Sequence, residues 1–304
     1  MDQVNIDRFE GCLLGLALGD ALGARYEGGP AERFLWSLIG STKQGYMRWT
    51  DDTQMSVDIA ESLLAKGGLD ADDLSLRFAR SYRWTRGYGP GAAKLLKRIA
   101  GGADWRQVNR ALHPEGSFGN GAAMRAPIIG LYFSGRNQEL TDAARASASV
   151  THAHPLGIEG AVLVASATAL AATCWHPARI LRRAGENCRL EPFVARLKIA
   201  ESWLGASDEP APPTVRPCLG NGVAASESCV TAVSIAVRFM RSSFEEMHAF
   251  VIDCGGDVDT IGAMAGAIWG AANGSGKLPS LKLAKLERRE RLTALAAALR
   301  ERRS

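Results

Sequence analysis

Apolar residues recur along most of the chain with the 3.6-residue period of an α-helix, and the alternation typical of strands is scarce. This pattern predicts an all-α fold. We predict helices over residues 9–23, 50–66, 71–84, 92–100, 122–132, 140–150, 156–173, 226–240, 244–254, 261–272 and 281–303, with one or two more in 177–203. Residues 33–45 and the segment 207–222, which holds four prolines, are predicted to be connections.

Small residues form stripes on two of the predicted helices. In the first helix glycines recur at positions 11, 15, 19 and 23. A later helix carries Gly157, Ala161, Ala165 and Ala169 at the same spacing. A four-residue spacing places side chains on one helix face. A close-packed partner helix explains the first stripe better than a phosphate-binding loop does.

Two acidic clusters interrupt the apolar pattern, each at the predicted start of a helix. Residues 50–53 are Thr-Asp-Asp-Thr, and residues 255–260 are Gly-Gly-Asp-Val-Asp-Thr. One aspartate at a helix start is commonly an N-cap, but a cap does not explain two clusters that each combine hydroxyls with two carboxylates. Mg²⁺ prefers such oxygen ligands. Four converging carboxylates would repel one another without cations, so the clusters predict a site for two metal ions.

The positions of the clusters bear on domain organisation, because they lie near opposite ends of the chain. They form one site only if both ends belong to one folded unit. We therefore expect a single all-α domain over residues 1–304, ending in an amphipathic helix over 281–303 with a basic face. The charges of that face indicate solvent exposure, and a contact to phosphate or to a partner is the alternative.

The charge of the chain is small overall but uneven. The formal net charge is +4, and residues 277–304 alone hold nine lysines and arginines against three glutamates. The remainder is therefore slightly acidic, which argues against a dedicated nucleic-acid surface. A hydrophobic content of 46% over 304 residues supports a sizeable core.

The six cysteines show neither C-x-x-C pairs nor a zinc-binding spacing. Cys12 and Cys229 lie in apolar helical patterns and are expected to be small core residues. The N-terminus lacks the pattern of a signal peptide, and no uncharged run with suitable flanks reaches transmembrane length. We expect a cytoplasmic, monomeric protein with no membrane partner.

Three further polar segments hold candidate binding residues. Glycines at 87, 89 and 91 lead into a predicted helix, an arrangement that lets backbone approach a ligand and favours an anion. Residues 117–121, Ser-Phe-Gly-Asn-Gly, also precede a helix rich in small residues. His152 lies in a polar break two residues from His154, which is not the spacing of a helical zinc site. Taken singly, these patterns are also typical of turns.

In their order along the chain, the motifs resemble the ADP-ribosylglycohydrolase family, which includes dinitrogenase reductase-activating glycohydrolase and the ADP-ribosyl-serine hydrolases. The motifs are Gly-Asp-Ala-Leu-Gly at 19–23, the two acidic clusters, Gly-Tyr-Gly at 87–89, Gly-Asn-Gly-Ala-Ala-Met-Arg at 119–125 and Thr-His at 151–152. The resemblance covers residues 11–272. It implies an all-α orthogonal helix bundle with two Mg²⁺ ions, or Mn²⁺, in a cleft, and an ADP-ribosylated protein or another ADP-ribose conjugate as the partner.

The resemblance also implies which residues hold the metals. The implied ligands are Thr50, Asp51, Asp52, Asp257, Asp259 and Thr260. All six positions carry a suitable residue, as expected of an active enzyme. Val258 stands where the family often has threonine, and we expect little effect because it lies between ligands.

Further residues are implied to contact the substrate. They are Gly87, Gly89 and Gly91 at the diphosphate, Ser117, Phe118, Gly119 and Asn120 on the adenosine side, and His152 at the distal ribose or phosphate. Phe118 suits stacking on adenine. A buried core side chain is the alternative for this residue.

Glu27 lies just past the first predicted helix, where the serine-linkage branch of the family carries a movable glutamate over the metals. The resemblance therefore favours hydrolysis of ADP-ribosyl-serine at C1″, followed by the arginine linkage and O-acyl-ADP-ribose. A carboxylate would deprotonate the attacking water. The candidates for this base are Glu27, Asp51, Asp52 and Asp257.

Two other functions stay open on the sequence. An all-α Mg²⁺-dependent diphosphate lyase would use similar ligands, but a further acid expected three residues after Asp52 is missing and the glycine-rich segments would have no role. A non-catalytic ADP-ribose-binding module is the second alternative. It would not need all six metal ligands, and release of ADP-ribose from a modified peptide separates it from an enzyme.

Overall fold

The computed structural model describes residues 4–204 and 210–303. Its α-helices, in chain order, are α1 Ile6–Gly23, α2 Pro30–Ile39, α3 Asp51–Lys66, α4 Ala71–Ser81, α5 Pro90–Ala100, α6 Trp105–Leu112, α7 Pro127–Tyr132, α8 Asn137–Ser149, α9 Pro155–Ala171, α10 Pro177–Gly185, α11 Glu191–Trp203, α12 Pro212–Leu219, α13 Ala225–Arg238, α14 Phe244–Cys254, α15 Val258–Asn273, α16 Ser280–Leu283 and α17 Arg289–Arg303. Short 3₁₀ turns occupy Trp84–Arg86, Asn120–Ala122 and Ser275–Lys277. Within the described residues β-structure is limited to isolated bridges, which confirms the all-α prediction.

Helices α1 and α15 form the centre of the bundle and run antiparallel in close contact. Their facing glycine pairs are Gly11 with Gly270, Gly15 with Gly266 and Gly19 with Gly262. A Cβ atom at Gly15 would overlap the carbonyl oxygen of Gly266, and the overlap is reciprocal. The first glycine stripe is therefore a helix-packing surface, as predicted. It brings the C-terminal end of α1 next to the N-terminal end of α15.

The surrounding helices enclose this pair. Helices α9 and α13 pack against α15, and α17 packs against α1 and α3. Helices α9 and α15 are buried over most of their length, which explains sequences that are rich in alanine and glycine on every face. In the second small-residue stripe, the backbone of Ala165 lies against Gly130 of α7, where a Cβ atom would overlap the Ala165 carbonyl.

Two predicted connections contain helices. The prediction for 33–45 is wrong because α2 runs through its first half, starting at Pro30. None of the residues of α2 is buried, and Phe34 and Leu38 face solvent, so its apolar residues do not mark a core-facing stripe. The described part of 207–222 contains α12, while residues 207–209 lie outside the described residues.

Other helix boundaries also depart from the periodicity. The predicted helix 281–303 is interrupted between α16 and α17, because the Met47 N–H donates to the Lys285 carbonyl at 2.6 Å and the Glu287 N–H donates to the Met47 carbonyl at 3.0 Å. These contacts to a distant segment override the local helical pattern. Helix α7 starts only at Pro127, and α6 lies in a segment for which the pattern predicts no helix.

The cysteines are free, and Cys12 and Cys229 are buried, which confirms their expected place in the core. Burial raises the pKa of both thiols above the ordinary range, so these side chains are inert packing groups. None of the described helices is both long and apolar enough to cross a bilayer.

We expect Gly15→Ala to lower the free energy of unfolding by about 2 kcal/mol or more, since the added methyl group has no space against α15. In an exposed helix the same change would be stabilising by about 1 kcal/mol. Urea denaturation measures the difference. Gly68→Ala is the control, because a Cβ atom there meets nothing within 4 Å. Equal stability of the two variants would contradict the packing role of the stripe.

Candidate functional site

The two acidic clusters meet where α1 ends and where α3 and α15 begin. The Thr260 hydroxyl donates to Asp52 Oδ1 at 3.4 Å, across 208 residues of sequence. Thr50, Asp52, Asp257, Asp259 and Thr260 are all buried. The structure thus brings the six residues named as metal ligands, with Asp51 half-buried among them, to one end of the bundle.

The first cluster is shaped by the start of α3. Thr50 is the N-cap, and its hydroxyl accepts from the Asp52 N–H at 3.3 Å. Asp51 and Asp52 occupy the first turn, where the helix dipole favours negative charge. Asp52 Oδ2 is buried and has no hydrogen-bond partner among the described residues. A buried carboxylate oxygen without a donor is costly, and a bound cation would satisfy it.

The second cluster is shaped by a sharp turn between α14 and α15. Gly255 and Gly256 have φ angles of 64° and 79°, in the region that favours glycine. A Cβ atom at Gly256 would overlap the Asn221 backbone. The Asp257 N–H donates to the Asn221 carbonyl at 2.8 Å. This turn fixes Asp257 at the entrance to α15, and Asp259 follows in the first helical turn.

Asp20 connects the two clusters through the end of α1. It is fully buried and accepts from the Thr50 N–H at 2.9 Å, the Thr53 N–H at 3.1 Å and the Thr53 hydroxyl at 2.5 Å. Burial raises its pKa to about 6, although these donors oppose the shift. In the sequence Asp20 is a charge inside an apolar helix and part of the Gly-Asp-Ala-Leu-Gly motif at 19–23, but neither signal indicates its role in positioning α3.

Asn120 and Ser228 also support the acidic clusters. The Asn120 amide donates to Asp257 Oδ2 at 2.5 Å and to the Ser228 hydroxyl at 3.0 Å. The resemblance places Asn120 on the adenosine side, whereas the structure points its amide at Asp257. Ser228 carries no motif that would have identified it from the sequence.

Glu27 lies beside the second cluster. Its carboxylate oxygen falls in one group with those of Asp257 and Asp259, all within 4.8 Å of one another. Burial raises the pKa of Glu27, and the charge of Asp257 raises it further while a hydrogen bond with Asp259 opposes the shift. The structure therefore assembles a carboxylate group that could hold a metal ion from two segments more than 200 residues apart.

The electrostatics of the site are those of crowded, buried acids. Burial raises the pKa of Asp51, Asp52 and Asp259 well above the ordinary value, and neighbouring carboxylates raise it further. Burial also raises the pKa of Asp257, against the hydrogen bond from Asn120. Cations offset this repulsion, so the donor set fits hard divalent metals.

The glycine-rich segment borders the acidic clusters. A Cβ atom at Gly87 would lie 3.8 Å from Asp51 Oδ1, and one at Gly89 would meet nothing within 4 Å. Gly87 has a φ angle of 84°. Gly91 differs from both because it lies in the first turn of α5, with the His113 ring 3.1 Å from a Cβ position. Open space therefore exists beside Gly89, whereas Gly87 lies within van der Waals range of the first acidic cluster.

Phe118 is 55% exposed and lies two residues before Asn120, whose amide contacts Asp257. It contacts His154 edge-on, with ring centroids 5.9 Å apart. This exposure excludes the alternative of a core side chain. The backbone on either side is held by hydrogen bonds, from the Ala225 N–H to the Phe118 carbonyl at 3.0 Å and from the Asn120 N–H to the Val223 carbonyl at 2.9 Å.

His152 packs beside the same segment. Its ring would be 2.6 Å from a Cβ atom at Gly121, and its Nδ1 lies 2.7 Å from the Thr151 hydroxyl. Burial, and then the charge of Arg125, lowers its pKa to about 3. Arg125 is fully buried and donates to the Gly121 carbonyl at 2.7 Å and the Thr151 hydroxyl at 2.9 Å. Arg125 therefore joins the Gly121 and His152 segments. The lowered pKa leaves the His152 imidazole neutral at pH 7.

Comparison with known proteins places this arrangement in a family. A sequence model of ADP-ribosylglycohydrolase matches residues 1–304. ADP-ribosylhydrolase ARH3 of Homo sapiens is 34% identical over 342 residues, which cover 97% of this chain and 93% of that protein. The glycohydrolase of Rhodospirillum rubrum named for ADP-ribosyl-dinitrogen reductase is 31% identical over 294 residues, or 92% of this chain and 90% of that protein.

A solved structure described as an ADP-ribosylglycohydrolase-related protein complex matches with a TM-score of 0.72 and 30% identity. It covers 98% of this chain and 99% of its own. These two relatives are named as hydrolases of ADP-ribosyl groups, and the solved structure shares the helical fold over nearly the full length of the chain. Both findings favour glycohydrolase activity over the diphosphate-lyase and non-catalytic alternatives. On the sequence match over its whole length, the chain belongs to the ADP-ribosylglycohydrolase family.

Proposed function

We propose that this protein is a Mg²⁺-dependent ADP-ribosylhydrolase that releases ADP-ribose from modified protein side chains, with serine as the favoured linkage. The observation that carries the proposal is the convergence of two acidic clusters, 208 residues apart at the Asp52–Thr260 contact, with Glu27 beside them. The arginine linkage and O-acyl-ADP-ribose are the next candidates. A relative named for dinitrogen reductase, at 31% identity, keeps other protein linkages among them.

The donor set suits two Mg²⁺ ions, or Mn²⁺, held by the six residues of the two clusters. The unpartnered Asp52 Oδ2 supports this assignment, as does the concentration of carboxylates with raised pKa values. When bound, the ions would supply Lewis acidity toward a water and the ribose hydroxyls. Asp20 and Asn120 hold the clusters in place, because they bond to Thr50 and Asp257 respectively.

The remaining cleft residues suit ADP-ribose itself. Gly89 has open space beside its backbone, and Gly87 lies next to Asp51 with a positive φ angle, which is compatible with N–H groups that contact the diphosphate. Phe118 offers an exposed ring for stacking on adenine. His152 is neutral, so it would contact the distal ribose or phosphate by a hydrogen bond and not through charge.

Glu27 is the best candidate for the base. Like the aspartates of the site it has a raised pKa, which makes it a better proton acceptor than an ordinary carboxylate, and unlike them it is not one of the six proposed metal ligands. It would take a proton from the attacking water while the water oxygen bonds to C1″ and the bond from C1″ to the side-chain oxygen breaks, and the departing oxygen would receive a proton from the protonated Glu27 or from solvent to give the free hydroxyl. Asp51, Asp52 and Asp257 remain alternatives because they share the site.

We expect the protein to release ADP-ribose from a serine-linked peptide faster than from arginine-linked or O-acyl conjugates, and only with Mg²⁺ or Mn²⁺ present. A panel of linkage-defined substrates, measured by ADP-ribose release with and without EDTA, tests both statements. Asp257→Asn provides the inactive background. Full activity after verified metal removal would overturn the metal assignment, while a faster arginine reaction would overturn the linkage only.

We expect Glu27→Gln to lower the single-turnover rate by ~10²-fold or more, within the range for a lost general base. The amide keeps the size of the side chain but removes its basicity. ADP-ribose affinity, measured by calorimetry, should change far less. Phe118→Ala is the complementary variant, with affinity reduced more than rate. An unchanged hydrolysis rate in Glu27→Gln would leave the three aspartates as the candidates for the base.

A further inference from the structure

A second polar cavity, of about 540 Å³, lies beside α3, α4 and α17. Seven arginines line it, whereas its lining includes two carboxylates, those of Asp58 and Glu61. We call this cavity the arginine pocket. It contains none of the metal-ligand or substrate residues described above, so its chemistry is independent of the proposed hydrolase activity.

Three of the seven arginines have carboxylate partners. Arg86 forms a buried ion pair with Glu287, and Arg291 pairs with Glu61. Arg77 donates to Asp73 at 2.6 Å. These pairs hold three of the arginine side chains in place, and they leave Glu61 unable to neutralise a further arginine.

The other four arginines, Arg48, Arg80, Arg83 and Arg288, have no carboxylate within ion-pair distance among the described residues. Arg48 donates to the Ile39 carbonyl at 3.1 Å, and Arg83 donates to the carbonyls of its own segment. No side-chain hydrogen bond or ion pair of Arg80 or Arg288 occurs in the described structure. The pocket therefore holds more guanidinium groups than its acids can neutralise.

Asp58 does not remove this excess. Its carboxylate accepts from the Ser81 hydroxyl and lies 3.5 Å from the Gln54 amide. Burial raises its pKa to about 7. At neutral pH this acid is therefore only partly ionised, and it offsets less than one positive charge.

The arginines come from separate parts of the chain, and the fold holds them there. Arg80 lies in the last turn of α4. Arg288 precedes α17 and is the non-glycine residue with positive φ in the described structure, at 49°. The bridge between Met47 and Glu287 fixes the residue before it. A solvated surface face would not bring guanidinium groups from three segments around one concavity.

We propose that the arginine pocket binds a phosphate or diphosphate group. The planar guanidinium can donate two hydrogen bonds to the oxygens of one phosphate, and several such groups around one anion add further charge-assisted hydrogen bonds. A free phosphate and the diphosphate of a nucleotide share this chemistry. Arg86, which lines the pocket, is followed in the sequence by Gly87, which borders the acidic clusters. The pocket and the proposed cleft therefore share one loop.

Calorimetry with inorganic pyrophosphate, and separately with ADP, tests the proposal at one fixed ionic strength, with Phe118→Ala in every protein so that the proposed adenine contact does not contribute. The test variant is Arg80→Gln with Arg288→Gln, two exposed residues whose loss should leave the fold intact. The control is Arg98→Gln with Arg145→Gln, which removes the same charge from exposed positions on α5 and α8. We expect the test variant to weaken binding at least ~10-fold and the control less than ~3-fold.

Each outcome decides the proposal. Loss of pyrophosphate binding in the test variant supports a site for free phosphates, and loss confined to ADP supports a site for a nucleotide diphosphate. Equal affinity of the test and control variants for both probes would overturn it, as would absence of saturable binding in the protein that carries Phe118→Ala alone. Thermal melts of both variants verify that they are folded.

Discussion

The contact between α1 and α15 is the constraint on which the rest of the structure depends. Backbone meets backbone along this antiparallel pair because glycines face one another on both helices. The contact continues to the functional end, where a Cβ atom at Gly23 would lie 2.6 Å from Asp259 Cα. Backbone atoms of the two helices are already in contact, so van der Waals repulsion sets the separation and the axial register of the pair. Glu27, which follows α1, reaches Asp259 for the same reason.

Asp20 extends this constraint to a third helix. Its carboxylate receives backbone and hydroxyl donors from Thr50 and Thr53, so the start of α3 is tied to the end of α1. Two helix starts, each favouring negative charge, then face each other across a buried space. The arrangement is unfavourable for the bare protein because the carboxylates repel. That cost is consistent with a site selected for binding cations, and not for stability alone.

Much of this could be predicted from the sequence, because the information was local. Glycines spaced by four residues indicated a close helix pair, and two hydroxyl-carboxylate clusters at helix starts indicated that both clusters would meet in one site. Other features, such as side-chain orientations and helix boundaries, could not be predicted because they depend on contacts between segments that are distant in the sequence. The Asn120 amide turns toward Asp257 because the Asn120 backbone is held by Val223. The interruption before α17 results from the bridge to Met47, and α2 is an exposed helix whose apolar pattern marks no core contact.

The proposed chemistry depends on whether the two clusters hold metal together. Anomalous diffraction from crystals soaked with Mn²⁺ tests this without assuming any reaction, since it locates the ions themselves. We expect two strong anomalous peaks between the carboxylates of Asp51, Asp52, Asp257 and Asp259, with Thr50 and Thr260 in contact. Absence of peaks at saturating Mn²⁺, or peaks bound by one cluster alone, would contradict a shared two-metal site.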